Sequence, residues 1–419
     1  MKHLLTILFF LFNLNVLQGQ KLLIPMDLAQ TDHLKAYGIA FWILEADLEV
    51  EWLLNYRGGS FLIDYSDKIA RECRIRGVSS ETLASSRIID VYAEIEANNM
   101  EVILLEKVPR IAVYTPSNTQ PWDDAVTLAL TYAEINYDKL WDPEVLRGNL
   151  SRYDWLHLHH EDFTGQYGKF YSSYRSAPWY IRQQIQYEEM AASLGYPSVS
   201  EQKKAVARVI KEYVGSGGFL FAMCSATDSY DIALAAEGVD IVDVPFDMTP
   251  VDPDADKKLN YSKTLAFKDF KLVKDPMVYE FSDIDAVPSS GANPRLAETD
   301  YFSLFEFSAK HDPVPSMLTQ NHVGVIKGFM GQTTSFRKHL IKDHVVIMGE
   351  VESADEVKYM HGNFGRGTYT FLGGHDPEDA RHHVNDPPTN LELHPNSPGY
   401  RLLLNNILFP AAKKKPQKT

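Results

Sequence analysis

Apolar residues recur at helical spacing through Val206, Val209, Ile210, Tyr213 and Val214. Ahead of them, Ser198-Val199-Ser200-Glu201 pairs a serine with a glutamate three places on, the pattern that satisfies the free amides opening a helix. Gly215, Gly217 and Gly218 stop that helix. Phe219-Leu220-Phe221-Ala222-Met223 then runs apolar without a break, too short for a helix and suited to a strand buried on both faces of a parallel sheet. Cys224 stands at its tip. The small, cap-prone Ser225-Ala226-Thr227-Asp228-Ser229 follows, and Tyr230 to Ala236 resumes a helical composition. The pattern predicts strand, tight turn and helix, with a thiol in the turn.

The same alternation begins near the amino terminus. Leu22-Leu23-Ile24 predicts a strand, Asp32 to Ala46 a helix with Leu34, Tyr37, Phe41 and Leu44 on one side, and Val50 to Leu54 a second strand. Arg57-Gly58-Gly59-Ser60 turns the chain. A helix over about Ser80 to Ala97 and a strand over Glu101 to Leu105 complete a β-α-β-α-β series across residues 20–108, which predicts a parallel layer. Residues 109–412 form the main domain: a strand at Ile111 to Tyr114, a helix from Pro121 to about Ile135, and a strand at Tyr153 to Leu158. Residues 241–342 break the alternation and predict an irregular, β-rich insertion. Val323 to Ile326 and Val345 to Met348 return the chain to the sheet, and Leu402 to Phe409 closes it as a helix. The fold class expected is α/β, a mostly parallel sheet flanked by helices.

Composition and charge narrow the chemistry. Lys+Arg 41 against Asp+Glu 56 leaves a formal charge of -15, which disfavours nucleic acid and anionic lipid as partners. Lys2 followed by an apolar run from Leu4 to Leu17 reads as a secretory signal over residues 1–19, so export to the periplasm or medium is expected. No cysteine follows the cut to carry a lipid, no later segment has the length of a membrane helix, and residues 413–419 read as a basic tail. Cys73 and Cys224 allow either a disulfide or a free nucleophile beside a bystander. At the end of the Tyr153 to Leu158 strand stand His159, His160, Glu161 and Asp162, on the sheet edge where Cys224 is also expected and where ligands of open α/β sheets bind. With His375, Asp376, His382 and His383 they offer zinc-ligand types. Adjacent strand residues face opposite ways, so His159 and His160 are read as a polar, substrate-binding rim with Glu161, and neither metal nor cofactor is expected. Between the two strands, Phe163 to Pro197 is rich in Tyr and Trp. Tyr174 and Trp179 there either cover a substrate as a lid or pack as core.

The turn at Cys224, with small Ala222 and Ala226 two places to either side, and the stretch Gly365-Arg366-Gly367-Thr368-Tyr369-Thr370-Phe371-Leu372-Gly373-Gly374-His375 together resemble the class I glutamine amidotransferase-like superfamily. That resemblance implies a flavodoxin-like sheet, Cys224 as nucleophile and His375 as its base. Asp376, Glu378 or Glu161 would supply the acid, because Pro377 occupies the place two residues after the histidine where the amidotransferases carry it. A thiol heading a helix has its thiolate favoured by the helix dipole, so Cys224 is expected to titrate below an ordinary cysteine. The activity implied is cysteine-dependent hydrolysis of a small amide or cell-wall-type fragment. The alternative is a non-catalytic sugar- or peptide-binding protein of the same fold, and the oligomeric state stays open. Asp27 to Gly38 and Asn55 to Ser60 are also similar to exported bacterial proteins labelled asparagine synthetase B. The synthetase's own motifs are missing: the processed start near Gln20 exposes no cysteine, and Ser216-Gly217-Gly218 runs into Phe219-Leu220 in place of an ATP loop.

Overall fold

The computed structural model describes residues 19–117, 124–287, 300–312, 314–352, 354–379 and 386–413. The expected signal segment up to residue 18, most of the basic tail, and His382 and His383 lie outside the described residues.

The amino-terminal layer holds strands β1 (Lys21–Ile24), β2 (Val50–Leu54), β3 (Ser60–Asp64), β4 (Glu81–Leu83) and β5 (Glu101–Leu105), with helices α1 (His33–Glu45), α2 (Asp67–Arg76) and α3 (Ser85–Ala97). The strands run in the order β4-β1-β3-β2-β5, and every pairing is antiparallel. This corrects the parallel layer that the alternation predicts. The element that decides it is β3, which the sequence pattern hides behind the Gly58-Gly59 turn. Gly58 and Gly59 take φ of 77° and 88°, reversing the chain within a few residues, and strands joined so tightly can pair only antiparallel. Helix α1 keeps its predicted face, with Leu34, Tyr37, Phe41 and Leu44 all buried and the Asp32 side chain capping the Lys35 amide.

Among the described residues the main sheet has 10 strands: β6 (Ile111–Tyr114), β7 (Asp138–Leu140), β8 (Trp155–Leu158), β9 (Phe219–Met223), β10 (Tyr301–Leu304), β11 (Val325–Lys327), β12 (Phe336–Arg337), β13 (Val346–Glu350), β14 (Glu356–Phe364) and β15 (Gly367–Leu372). Nine follow the order β11-β10-β13-β14-β15-β9-β8-β6-β7, while β12 pairs with β14. The sheet is mixed. From β15 through β9, β8 and β6 to β7 the neighbours are parallel; from β15 outward through β14, β13, β10 and β11 they are antiparallel. Within residues 241–342, strands β10, β11 and β12 all pair into this sheet.

Helices α4 (Ala125–Tyr132), α5 (Asp142–Leu146), α6 (Tyr171–Tyr174), α7 (Pro178–Ser193), α8 (Val199–Gly215), α9 (Ser225–Ala235), α10 (Val244–Asp247), α11 (Ala255–Lys258) and α12 (Pro398–Leu408) complete the fold. Strand β9 is buried throughout. Its alternation sends Phe219, Phe221 and Met223 into a core shared with α1, α4 and α12, and Leu220 and Ala222 into a core shared with α8 and α9. Burial on both faces is why the run reads as continuously apolar. Each large side chain so buried contributes about 1.5–3 kcal/mol.

Candidate functional site

Strands β8, β9 and β15 end side by side, and their carboxyl ends carry the candidate residues. Cys224 follows β9 and heads α9 with φ 49° and ψ −137°, a backbone conformation that a side-chain-bearing residue holds at about 1–3 kcal/mol of strain. Its amide donates to the Leu372 carbonyl of β15 at 3.1 Å, and its carbonyl accepts from Thr227 Oγ1 at 2.7 Å. The turn is therefore pinned from both sides.

His375 follows β15 after Gly373 and Gly374. Gly374 takes φ 78°, and a Cβ there would fall 1.9 Å from the Phe329 carbonyl oxygen, so only glycine admits this crossing. The segment Phe329–Ser335 lies over the site. At Gly331 a Cβ would meet Cys224 Sγ at 2.8 Å and His375 Cδ2 at 2.9 Å. Thiol and imidazole thus flank one glycine, and the segment closes over both.

That closure changes the electrostatics. Cys224 is 2% exposed. Burial pushes its thiol up to about 11, while the backbone amides of Thr333, Ser225 and Gln332 pull the other way without prevailing. The expectation of a lowered thiol pKa is corrected: loss of water outweighs the helix dipole. Cys73 is buried on α2, and both cysteines are free, so the disulfide does not form.

Two carboxyls hold the covering segment. Thr333 Oγ1 donates to Asp228 Oδ1 at 3.1 Å, and the Thr334 and Ser335 amides donate to Asp285 Oδ1 at 3.2 and 3.3 Å. Burial raises both groups, with Asp285 reaching about 7 and Asp228 held well above the usual carboxylate range. Neither residue stands out in the sequence, because Asp228 looks like one more cap-prone residue and Asp285 lies in an irregular stretch.

The acids expected to orient His375 are each held by further partners. Asp376 accepts from Tyr400 OH at 2.6 Å, from Thr389 Oγ1 at 2.7 Å, and from the amides of Glu378 and Asp379 at 2.8 and 3.2 Å. It organises its own turn. Glu378 accepts from Ser397 Oγ at 2.5 Å and faces His394 Nδ1 at 3.4 Å. Glu161 accepts from the His159 amide at 2.8 Å, and burial pushes its carboxyl up to about 7.

Although adjacent strand residues face opposite ways, His159 and His160 follow the last residue of β8, and their rings meet edge to face at 4.6 Å. The His159 ring lies 5.9 Å from that of His375 and 5.8 Å from that of His157, and it meets Asp124, the cap of α4. Burial alone would raise Asp124, but the charges of His157 and His159 outweigh it and hold the carboxyl well below its usual range. His157 and Asp124 were not among the residues singled out from the sequence. The available signal was His157-Leu158-His159, two histidines at the spacing that shares one strand face.

His160 instead lines a small cleft of about 30 Å³ together with Glu161, Trp141, Tyr167, Phe170 and Tyr187. The aromatic segment does wall this cleft, but through Tyr167, Phe170 and Tyr187. Trp179 and Tyr174 are half-buried behind Phe170, with their rings 5.1 Å apart and Trp179 6.1 Å from Phe170.

No family model matches the chain, and no curated protein matches it. Among solved structures it is similar to two cytoplasmic proteins of Salmonella typhimurium. Each is 11% identical and covered over its whole length by 73% of this chain, with TM-scores of 0.35 and 0.37. It is also similar to a β-galactosidase from Bacillus circulans sp. alkalophilus at 10% identity, over 69% of this chain and 32% of that one, with a TM-score of 0.27. These likenesses are too slight to carry an activity across.

Proposed function

We propose that the protein is an exported, cysteine-dependent amidase or hydrolase of the glutamine amidotransferase-like kind, acting on a small amide or cell-wall-type fragment. The strained backbone of Cys224 carries this proposal: φ 49° and ψ −137° at a strand-to-helix turn lifts a thiol above a sheet edge for attack. Support for a flavodoxin-like core comes from the parallel block, whose strands run 2-1-3-4-5 when counted from β6. In the reaction, Cys224 Sγ bonds to the amide carbon and its proton passes to His375. His375 returns that proton to the departing amine as the C–N bond breaks, then takes one from the water whose oxygen attacks the thioester carbon and passes it to Cys224 Sγ as the C–S bond breaks. Because Phe329–Ser335 covers the sulfur, substrate entry displaces this segment first. The test is a screen of small amides, glutamine among them, and peptide fragments against the purified mature protein. Cys224→Ala, His375→Ala and the double variant should lose activity equally, as groups acting as a unit do, while Cys73→Ala keeps it. Full activity in Cys224→Ala rejects the nucleophile.

A second function is favoured by one observation. The thiol is covered, while aromatic rings line a small cleft beside His160 and Glu161, as in a binder that grips a sugar or peptide without chemistry. Calorimetric binding of such fragments that weakens in Tyr187→Ala and is unchanged in Cys224→Ala, with no turnover, selects this alternative.

A further inference from the structure

His157 and His159 stand two residues apart at the end of β8, so the strand's alternation turns both rings to one side. Asp124 meets them there from the start of α4. His157 Nε2 lies 3.1 Å from Asp124 Oδ2, and His159 Nδ1 lies 3.4 Å from Asp124 Oδ1. One ligand atom from each of the three residues falls within 4.8 Å of the other two.

Two features set this cluster apart from an ordinary hydrogen-bonded one. His159 is 2% exposed, and its Nδ1 makes no hydrogen bond although it is aimed at the cluster. A buried ring nitrogen left so is costly unless something else occupies it. His157, fully buried, places Nδ1 3.2 Å from the Phe221 carbonyl oxygen and Nε2 against Asp124. A carbonyl only accepts, so Nδ1 carries a proton, and Nε2 is the ring atom left to face Asp124. A cation there would be shared by both imidazoles and the carboxylate, and would give His159 Nδ1 a ligand role.

The spacing to one oxygen fits. Ligands about 2.0–2.2 Å from a tetrahedral ion are separated by about 3.3 Å, and His157 Nε2 and His159 Nδ1 lie 3.2 and 3.4 Å from the same Asp124 Oδ1, with all three ligand atoms within 4.8 Å of one another. The surroundings fit as well. The Phe221 carbonyl fixes the tautomer of His157 as an outer-shell acceptor, and Asp124 Oδ1 is steadied by the Val126 and Thr127 amides at 2.7 and 3.2 Å.

We propose that Asp124, His157 and His159 form a binding site for a divalent metal ion of the Zn²⁺ type, with a fourth position left for water or a ligand. Two imidazoles and one carboxylate are the donor set of open, three-ligand zinc centres. The site is independent of Cys224 as nucleophile: it stands on three other residues, and its test reads binding alone.

The experiment titrates the chelator-stripped full-length protein with Co²⁺, following the visible absorption of low-coordinate cobalt, and then displaces the cobalt with Zn²⁺. The expected result is one equivalent bound, with His159→Ala and the better-filling His159→Gln both losing at least about 10-fold in affinity. His160→Ala and Cys224→Ser should keep wild-type binding, and circular dichroism melts of each variant show which remain folded. Equal binding by folded His159→Gln and wild type, absence of stoichiometric uptake, or a sulfur-to-cobalt charge-transfer band that vanishes in Cys224→Ser would overturn the assignment.

Discussion

Cys224 shows how one residue's identity and its environment pull apart. Its turn, its strand and its helix follow from the local sequence, but its acidity follows from Phe329–Ser335, more than a hundred residues away. A thiol whose folded pKa is raised contributes stability that is complete below its unfolded value, near 9.0, and is lost as pH climbs toward about 11. Alkylation of Cys224 in the unliganded protein should therefore keep rising to about pH 11 and show no plateau near neutrality. A plateau near pH 7, read by mass spectrometry of the modified peptide, would mean that His375 already holds the thiolate. Gly331→Ala should act at the same place. Its new methyl meets Sγ and the His375 ring edge at under 3 Å, so we expect a loss of about 1–3 kcal/mol in urea melts and faster alkylation as the segment is lifted.

Among elements, the covering segment is the one whose behaviour depends on pH. Asp285 is raised from 3.8 to about 7 by burial, so its folded form prefers the proton. The sign follows from linkage: its contribution is full below about pH 3.8 and declines as pH rises through 7. Asp285→Asn keeps one acceptor oxygen for the Thr334 and Ser335 amides and carries no charge. The variant should thus be more stable than wild type at pH 8, relative to their difference at pH 4, in paired thermal melts. An unchanged difference between the two pH values would show that the carboxylate is not strained there. Elements also differ in how legible they are. Helix α8 was readable because Ser198 caps the Glu201 amide at 3.3 Å and its apolar positions keep one spacing. Strand β3 was not, because the run Ser60–Asp64 is short and follows directly on a glycine turn, so it merges with that turn in the pattern.

In the whole molecule, Arg401 of α12 joins the amino-terminal layer to the main sheet. Wholly buried, it donates Nη1 to the Met26 carbonyl at 2.8 Å, Nε to Tyr37 OH at 3.1 Å, and Nη2 to the Gly58 carbonyl. Its Nη1 also lies 3.2 Å from His322 Nδ1. The sequence shows only an arginine at the front of an apolar helix. Arg401→Met fills similar space but strands those carbonyls, so a loss of about 3 kcal/mol is expected. The two layers should then melt as separate calorimetric transitions. A single unshifted transition would show that the layers are held by apolar packing alone.

What the amino-acid order determined was local and periodic: the helix from Val199, the strand through Phe219 to Met223, the turn bearing Cys224, and the glycines that deliver His375. Each is written in neighbouring residues, where spacing alone specifies which face is buried. Tertiary structure decided the rest. It set strand direction in the first layer, paired β10, β11 and β12 into the sheet edge, and laid Phe329–Ser335 over the thiol. It also gave Asp376 and Glu378 partners in Tyr400, Thr389 and Ser397, and brought Asp124 to His157 and His159. The physical reason is common to these outcomes. A pKa, an orphaned nitrogen or a shared metal geometry depends on groups distant in sequence and adjacent in space, and hydrophobic periodicity carries no record of which distant loop closes over which strand end.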